Sequence, residues 1–168
     1  GSSMATKFNA ISGLSHRDGY VYVSDRNSRK VKKTRTTDGY TELFFTVPEG
    51  QYPLGSTFDA NGDFWLATFL SMACRIYRVT PNGVGAMVHN SPIQTFTDGT
   101  LLTVARSGTI EDLHFYNGAI YLTDYTFHRV RRLIADQMTT YAGSGVAHHA
   151  DGPALQGGMY HPWGLASM

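Results

Sequence analysis

The chain has 168 residues, 42% of them hydrophobic and 16% charged, a balance that excludes a disordered polymer and suffices for one domain with a real core. A formal net charge of +1 sets up no global field toward nucleic acid or an acidic membrane surface. Its one cysteine, Cys74, excludes an intrachain disulfide, and no apolar run approaches the roughly 20 residues that cross a bilayer.

Gly1-Ser2-Ser3 ahead of Met4 has the character of an expression tag, so residues 1–8 are read as tag and disordered start and 9–168 as the folded segment. From there the chain repeats itself. Gly19-Tyr20-Val21-Tyr22-Val23-Ser24-Asp25, Gly62-Asp63-Phe64-Trp65-Leu66-Ala67-Thr68 and Gly118-Ala119-Ile120-Tyr121-Leu122-Thr123-Asp124 are three versions of one alternating run. A basic run follows each: Arg29 to Lys33, Cys74 to Arg78, and His128 to Arg132. The period is about 43 and then about 56 residues, the range of propeller blades or another stacked array.

Each copy reads as four strands, a to d. The first has them near 10–15, 20–24, 29–34 and 40–45, with Asp38-Gly39 as the last turn. The second has them near 54–59, 63–68, 73–79 and 84–88, turned by Asn61-Gly62 and Asn82-Gly83. The third has them near 109–115, 118–123, 128–134 and 137–142, turned by Asn117-Gly118. The blades thus span about 9–50, 51–90 and 105–145. Asn90 to Gly108 is an insertion, read as a hairpin of 93–96 and 101–104 around Thr97-Asp98-Gly99-Thr100. Asp98-Gly99 ahead of Glu111 is echoed by Asp151-Gly152 ahead of Gly164, so 159–168 reads as strand a of a fourth blade. Both faces of the alternating runs carry large apolar residues, so both faces require covering, as in sheets stacked around an axis.

The stretch from Asp151 to Ala166, with His161-Pro162-Trp163-Gly164-Leu165, resembles the lead-in to a blade of the NHL-repeat family. Tyr121-Leu122-Thr123-Asp124 with His128-Arg129-Val130-Arg131, and Tyr22-Val23-Ser24-Asp25 with Lys30-Val31-Lys32, resemble the core of that repeat. The likeness extends over nearly all of the chain from residue 9. Copy two departs from it, with Thr68 in place of the Asp and two extra residues before Arg75; Ser28, Phe127 and Arg29 also replace family residues. The resemblance implies an all-β segment of a propeller, commonly six-bladed, used mostly as a binding platform for proteins, RNA or small ligands. A minority of relatives are metalloenzymes. Six blades need about twice this chain, so the expectation is a partial propeller, either part of a longer ring or completed by a second copy of itself.

The expected function is a non-catalytic interaction module for a protein partner. The contacts are placed on the turns between strands b and c, at Arg26, Phe69, Tyr125 and Phe127, since aromatics and arginines dominate binding hot spots. An alternative is RNA binding by the basic run 26–35, with Arg29, Lys30, Lys32 and Lys33 as contacts. A further alternative is a metal-dependent lyase or hydrolase, with His148-His149-Ala150-Asp151 as the tight histidine cluster. Phosphate loops, nucleophile elbows and Cys-x-x-Cys pairs are absent, so no cofactor and no catalytic residue is expected. Asp25 and Asp124 read either as ligands or as turn acceptors paired with a following arginine, such as Arg129. Cys74 reads as a half-buried structural thiol. Nothing in the chain assigns a compartment.

Overall fold

Alternation at period two, interrupted by tight turns, produces the strands in the order expected. The computed structural model describes residues 7–71, 73–92 and 95–167. The first sheet contains β1 (Ile11–Arg17), β2 (Tyr20–Asp25), β3 (Lys30–Arg35) and β4 (Thr41–Thr46) in sequential order. The second contains β5 (Tyr52–Phe58), β6 (Phe64–Leu70), β7 (Ala73–Val79) and β8 (Gly85–Ser91). After β9 (Gly99–Thr100), the third contains β10 (Ile110–Tyr116), β11 (Ala119–Asp124), β12 (Arg129–Ile134) and β13 (Gln137–Ala142), with β9 added beyond β13. All pairings between these strands are antiparallel, and no helix occurs among the described residues.

The repeat extends to its irregularities. Register shifts fall between Ile11 and Gly13, Pro53 and Ser56, and Ile110 and Leu113, the same place in each a–b pair. A second set falls after Val31, Ile76 and Val130 in each c–d pair. Such bulges add local twist, which a blade requires. Asp18-Gly19 and Asn117-Gly118 turn a into b with positive φ at both residues, as a two-residue hairpin of matching twist demands.

Two apolar layers hold the sheets together. Between the first and second lie Val31, Phe64, Leu66, Tyr77 and Val79, with Tyr22, Phe44 and Phe58 packed against them. Tyr22 meets Phe44 and Phe58 edge-on at 4.9 and 4.7 Å, an arrangement aromatic quadrupoles favour. Between the second and third lie Trp65, Ala67, Ile76, Ile110, Leu113, Leu122 and Met138. The a strands approach one another most closely. A Cβ on Gly13 would sit 2.6 Å from the Leu54 carbonyl oxygen, and one on Gly55 2.5 Å from that of Glu111, so neither position admits a side chain.

Three details differ from the sequence expectation. The insertion is no 93–96/101–104 hairpin: residues 93 and 94 lie outside the described part, Thr97 bridges Arg106, and Gly99–Thr100 pairs with the outer strand β13. Leu101 and Ala105 enter the core instead, because burying them under the edge of the third sheet removes apolar surface from water. The tail 161–167 forms no ladder, since a strand a needs a strand b beside it. It nevertheless lies along the third sheet: Leu165 N–H donates to Asp112 Oδ2 at 2.9 Å, and Thr123 Oγ1 donates to the Trp163 carbonyl at 3.0 Å. Lys7 and Phe8 lie against Lys32, whose ammonium donates to the Lys7 carbonyl at 2.6 Å and sits 4.8 Å from the Phe8 ring centroid.

Candidate binding face

The end of each b strand sets the geometry of the b–c turn. Asp25 is fully buried, accepts the Asn9 N–H at 2.7 Å and pairs with Lys32 at 2.6 Å. Asp124 is fully buried too and accepts the Gly108 and Phe127 N–H groups. Its cation is Arg131, at 3.5 Å, and not Arg129. Arg129 lies directly opposite Asp124 in register, but its guanidinium donates to the Ser144 carbonyl and covers Phe96 at 3.9 Å. Arg131, two residues on, is completely enclosed and also reaches Asp98 at 2.7 Å and the carbonyls of Thr97 and Arg106. These aspartates are therefore engaged in holding turns.

With the turns so held, Arg26 and Tyr125 come together with Phe69, which is not the turn residue expected but lies in β6, paired with Cys74, because that strand runs on past Thr68. They line one pocket of about 220 Å³ with Leu54, Thr109, Glu111 and Thr126. Arg26 is exposed, while Phe69 and Tyr125 are half-buried. Burial pushes the Glu111 carboxyl above its usual range, and the Arg26 guanidinium pulls it part of the way back. Phe127 is not part of this pocket; its ring meets Phe96 of the insertion at 6.1 Å.

The basic run does not converge. Lys32 is committed to Asp25, and Lys33 to Glu42 at 3.0 Å with its ammonium 5.2 Å from the Tyr20 ring centroid. Alternation sends Lys30 and Lys32 to one face and Lys33 to the other, while Arg29 and Lys30 are exposed. Two of the histidines, His128 and His161, join an aromatic stack, while His148 and His149 of the tight cluster are exposed. Tyr125 and His161 lie face to face at 4.1 Å, His128 and Tyr160 at 5.7 Å, and Trp163 meets Tyr125 edge-on at 5.6 Å. The His161 N–H donates to His128 Nδ1 at 3.2 Å, and burial, His161 and Arg129 hold the His128 pKa below its ordinary value. Among the described residues, no three His, Cys, Asp or Glu side chains are grouped to hold a metal. Cys74 is fully buried instead of half-buried, and burial pushes its pKa up to about 12, so it is no nucleophile.

Glu111 and Arg131 are the residues sequence reasoning passed over. A signal existed for the first: position by position in strand a, Glu111 replaces Ser12 and Leu54, an acid where the other copies carry none. Arg131 read only as one more basic residue in a strand c.

No protein-family model matches the chain, and no curated protein matches it in sequence. Solved structures do match in fold. A protein of unknown function from Bacteroides thetaiotaomicron superposes with a TM-score of 0.78 at 18% identity, over 92% of this chain and 41% of that one. An auxiliary nutrient binding protein from Bacteroides ovatus gives 0.70 at 17% identity, over 94% and 43%. A catalytically inactive virginiamycin B lyase from Staphylococcus aureus with quinupristin gives 0.60 at 18% identity, over 82% and 42%. The chain spans about two fifths of the length of these structures, and what it shares with them is the fold: it is a partial β-propeller of three stacked sheets, the third carrying a fifth strand.

Proposed function

We propose that the chain is a non-catalytic interaction module that takes a cationic side chain of a protein partner into the pocket lined by Arg26, Phe69, Tyr125 and Glu111. The observation that carries this reading is the convergence of Arg26, Phe69 and Tyr125, from three different blades, around Glu111. At about 220 Å³ the pocket is smaller than the roughly 300–1,000 Å³ of small-molecule sites and suits one anchoring side chain. A half-buried carboxylate walled by two aromatic rings favours a lysine or arginine, through ion pairing and attraction of the cation to the ring faces. Arg26, exposed at the rim, is available to an acidic neighbour of that residue.

A displayed peptide library panned against the chain tests this. Expected is enrichment of peptides with a central Lys or Arg whose binding falls at least tenfold with Glu111→Gln or Phe69→Ala. Peptides that bind both variants as well as the parent, or no enrichment over an unrelated propeller, would overturn the reading.

A further inference from the structure

On the face formed by the a–b turns, one repeat position is filled between the first two blades and open between the next two. Arg17 and Asp59 occupy equivalent places at the end of strand a, and Gly62 and Gly118 equivalent places in the turns they face. Between the first and second blades Arg17 fills the gap. Its guanidinium donates to the Asp59 carbonyl at 3.1 Å, lies 5.6 Å from the Phe58 ring centroid and would stand 3.1 Å from a Cβ on Gly62. Gly62 is accordingly buried. Between the second and third blades the same place holds the short side chain of Asp59. Phe115 now stands for Phe58 and Gly118 for Gly62, but Gly118 is exposed and a Cβ there would meet nothing within 4 Å. The result is a cavity of about 270 Å³ whose lining includes Asp59, Trp65, Arg78, Phe115 and Gly118. Blades of this chain flank both places, so the difference between them lies in the side chains alone.

We propose that this slot binds the guanidinium of an arginine carried by a partner polypeptide, on the face opposite the Glu111 pocket. The chain's own Arg17 shows what such a place accepts: a planar cation near an aromatic ring with an N–H group on oxygen. In the open slot Phe115 supplies the ring and Asp59 the acceptor. The Asp59 carboxylate accepts the N–H groups of Asn61 and Asp63 on Oδ1 and the Trp65 indole N–H on Oδ2 at 2.9 Å, so Oδ2 retains a lone pair. The charges also favour a cation. Arg78, which lines the slot too, is held by Asp63 at 2.6 Å, so two carboxylates against one guanidinium leave a negative balance. Arg17, on the far side of the same turn, is paired with Asp18 at 3.2 Å. A cation drawn partly out of water between a carboxylate and a ring is attracted more strongly than at an open surface. At about 270 Å³ the slot falls below the roughly 300–1,000 Å³ of small-molecule sites and suits one long side chain.

Titration of the isotope-labelled chain with N-acetyl-arginine amide, followed by NMR, tests the proposal. Trp65 reports on the slot, because its indole N–H meets Asp59, whereas the indole of Trp163 lies beside Tyr125 and reports on the turn pocket. Expected are shifts at the Trp65 indole and the Gly118 amide, with N-acetyl-lysine amide and N-acetyl-glutamate amide binding at least tenfold more weakly. Asp59→Asn should weaken the arginine probe at least tenfold, and Arg78→Gln, at an exposed position, should tighten it about threefold. A glycine-flanked arginine pentapeptide should bind at least as tightly as free arginine, as a polypeptide ligand requires. Absence of shifts at the slot by about 20 mM probe overturns the proposal. So does equal binding of the lysine or glutamate probe, or a preference for free arginine over the peptide. If Asp59→Asn fails to fold, Arg78→Gln decides, and unchanged or weaker binding there overturns the proposal. Shifts at Trp163 with none at Trp65 place the cation in the turn pocket, which overturns this inference and leaves the Glu111 reading standing.

Discussion

The first and third blades solve with charge what the second solves without it. In the outer two, a buried aspartate at the end of strand b binds a cation from strand c, and that cation also donates to a carbonyl ahead of strand a: Lys32 to Lys7, Arg131 to Arg106. In the second blade Thr68 replaces the aspartate and Tyr77 the cation, and Gln51 joins them, accepting from the Thr68 hydroxyl at 2.7 Å while its amide donates to the Tyr77 hydroxyl at 2.9 Å. The slot is the same and must be satisfied, because buried polar groups without partners are costly. The two charged versions differ from each other as well. Burial pushes Asp124 above the ordinary carboxylate range despite Gly108 and Arg131; burial also acts on Asp25, but Lys32, Ser28 and Asn9 more than offset it and hold it below. Ionic pairing here is one device among several for closing a turn, which explains its recurrence.

That contrast can be broken most severely at the third blade. Asp124→Ala leaves Arg131 enclosed and short of its buried counter-charge, and a loss of about 3–5 kcal/mol in urea unfolding is expected. Asp25→Ala should cost less, about 1.5–3 kcal/mol, since the Lys32 side chain keeps 17% of its exposure and can turn toward water. Thr68→Val, which removes one neutral hydrogen bond, should cost about 1 kcal/mol. Equal losses at all three would show that charge is irrelevant to the difference. The smallest expected effect separates the tail from the blades. His128 accepts the His161 N–H and must be neutral to do so, and its folded pKa lies below the unfolded one. The stabilisation is therefore present above about pH 6.5 and lost as the pH falls from there through the folded value. Protection of the 160–167 amides, taken relative to the intrinsic exchange rate at each pH, should fall between pH 7.5 and 5 while strands β6 and β11 keep theirs.

Much of the architecture was legible because it rests on local signals. Aromatic alternation and Asn-Gly or Asp-Gly turns placed the twelve blade strands within a few residues of where they lie. Arg26 and Tyr125 lie on their b–c turns as expected, whereas Phe69, expected on a turn, is a ladder residue of β6 paired with Cys74; the three still line one pocket, and Phe127 turns toward the insertion, which has no counterpart in the other copies. The insertion itself was misread because Leu101 and Ala105 are short of neighbours in sequence and find them only in the layer between two blades. Arg131 was passed over for the same reason, its partners lying 7 to 34 residues away.

The order of strands, their faces and the stacking of like units followed from period-two patterning and turn chemistry, which act within a few residues and repeat. Which cation closes each of the two charged turns, where the insertion buries its leucine, and how residues of three blades share one pocket with Glu111 were settled by the folded chain alone. Those choices depend on distances between segments far apart in sequence, and such distances exist only once the blades have stacked.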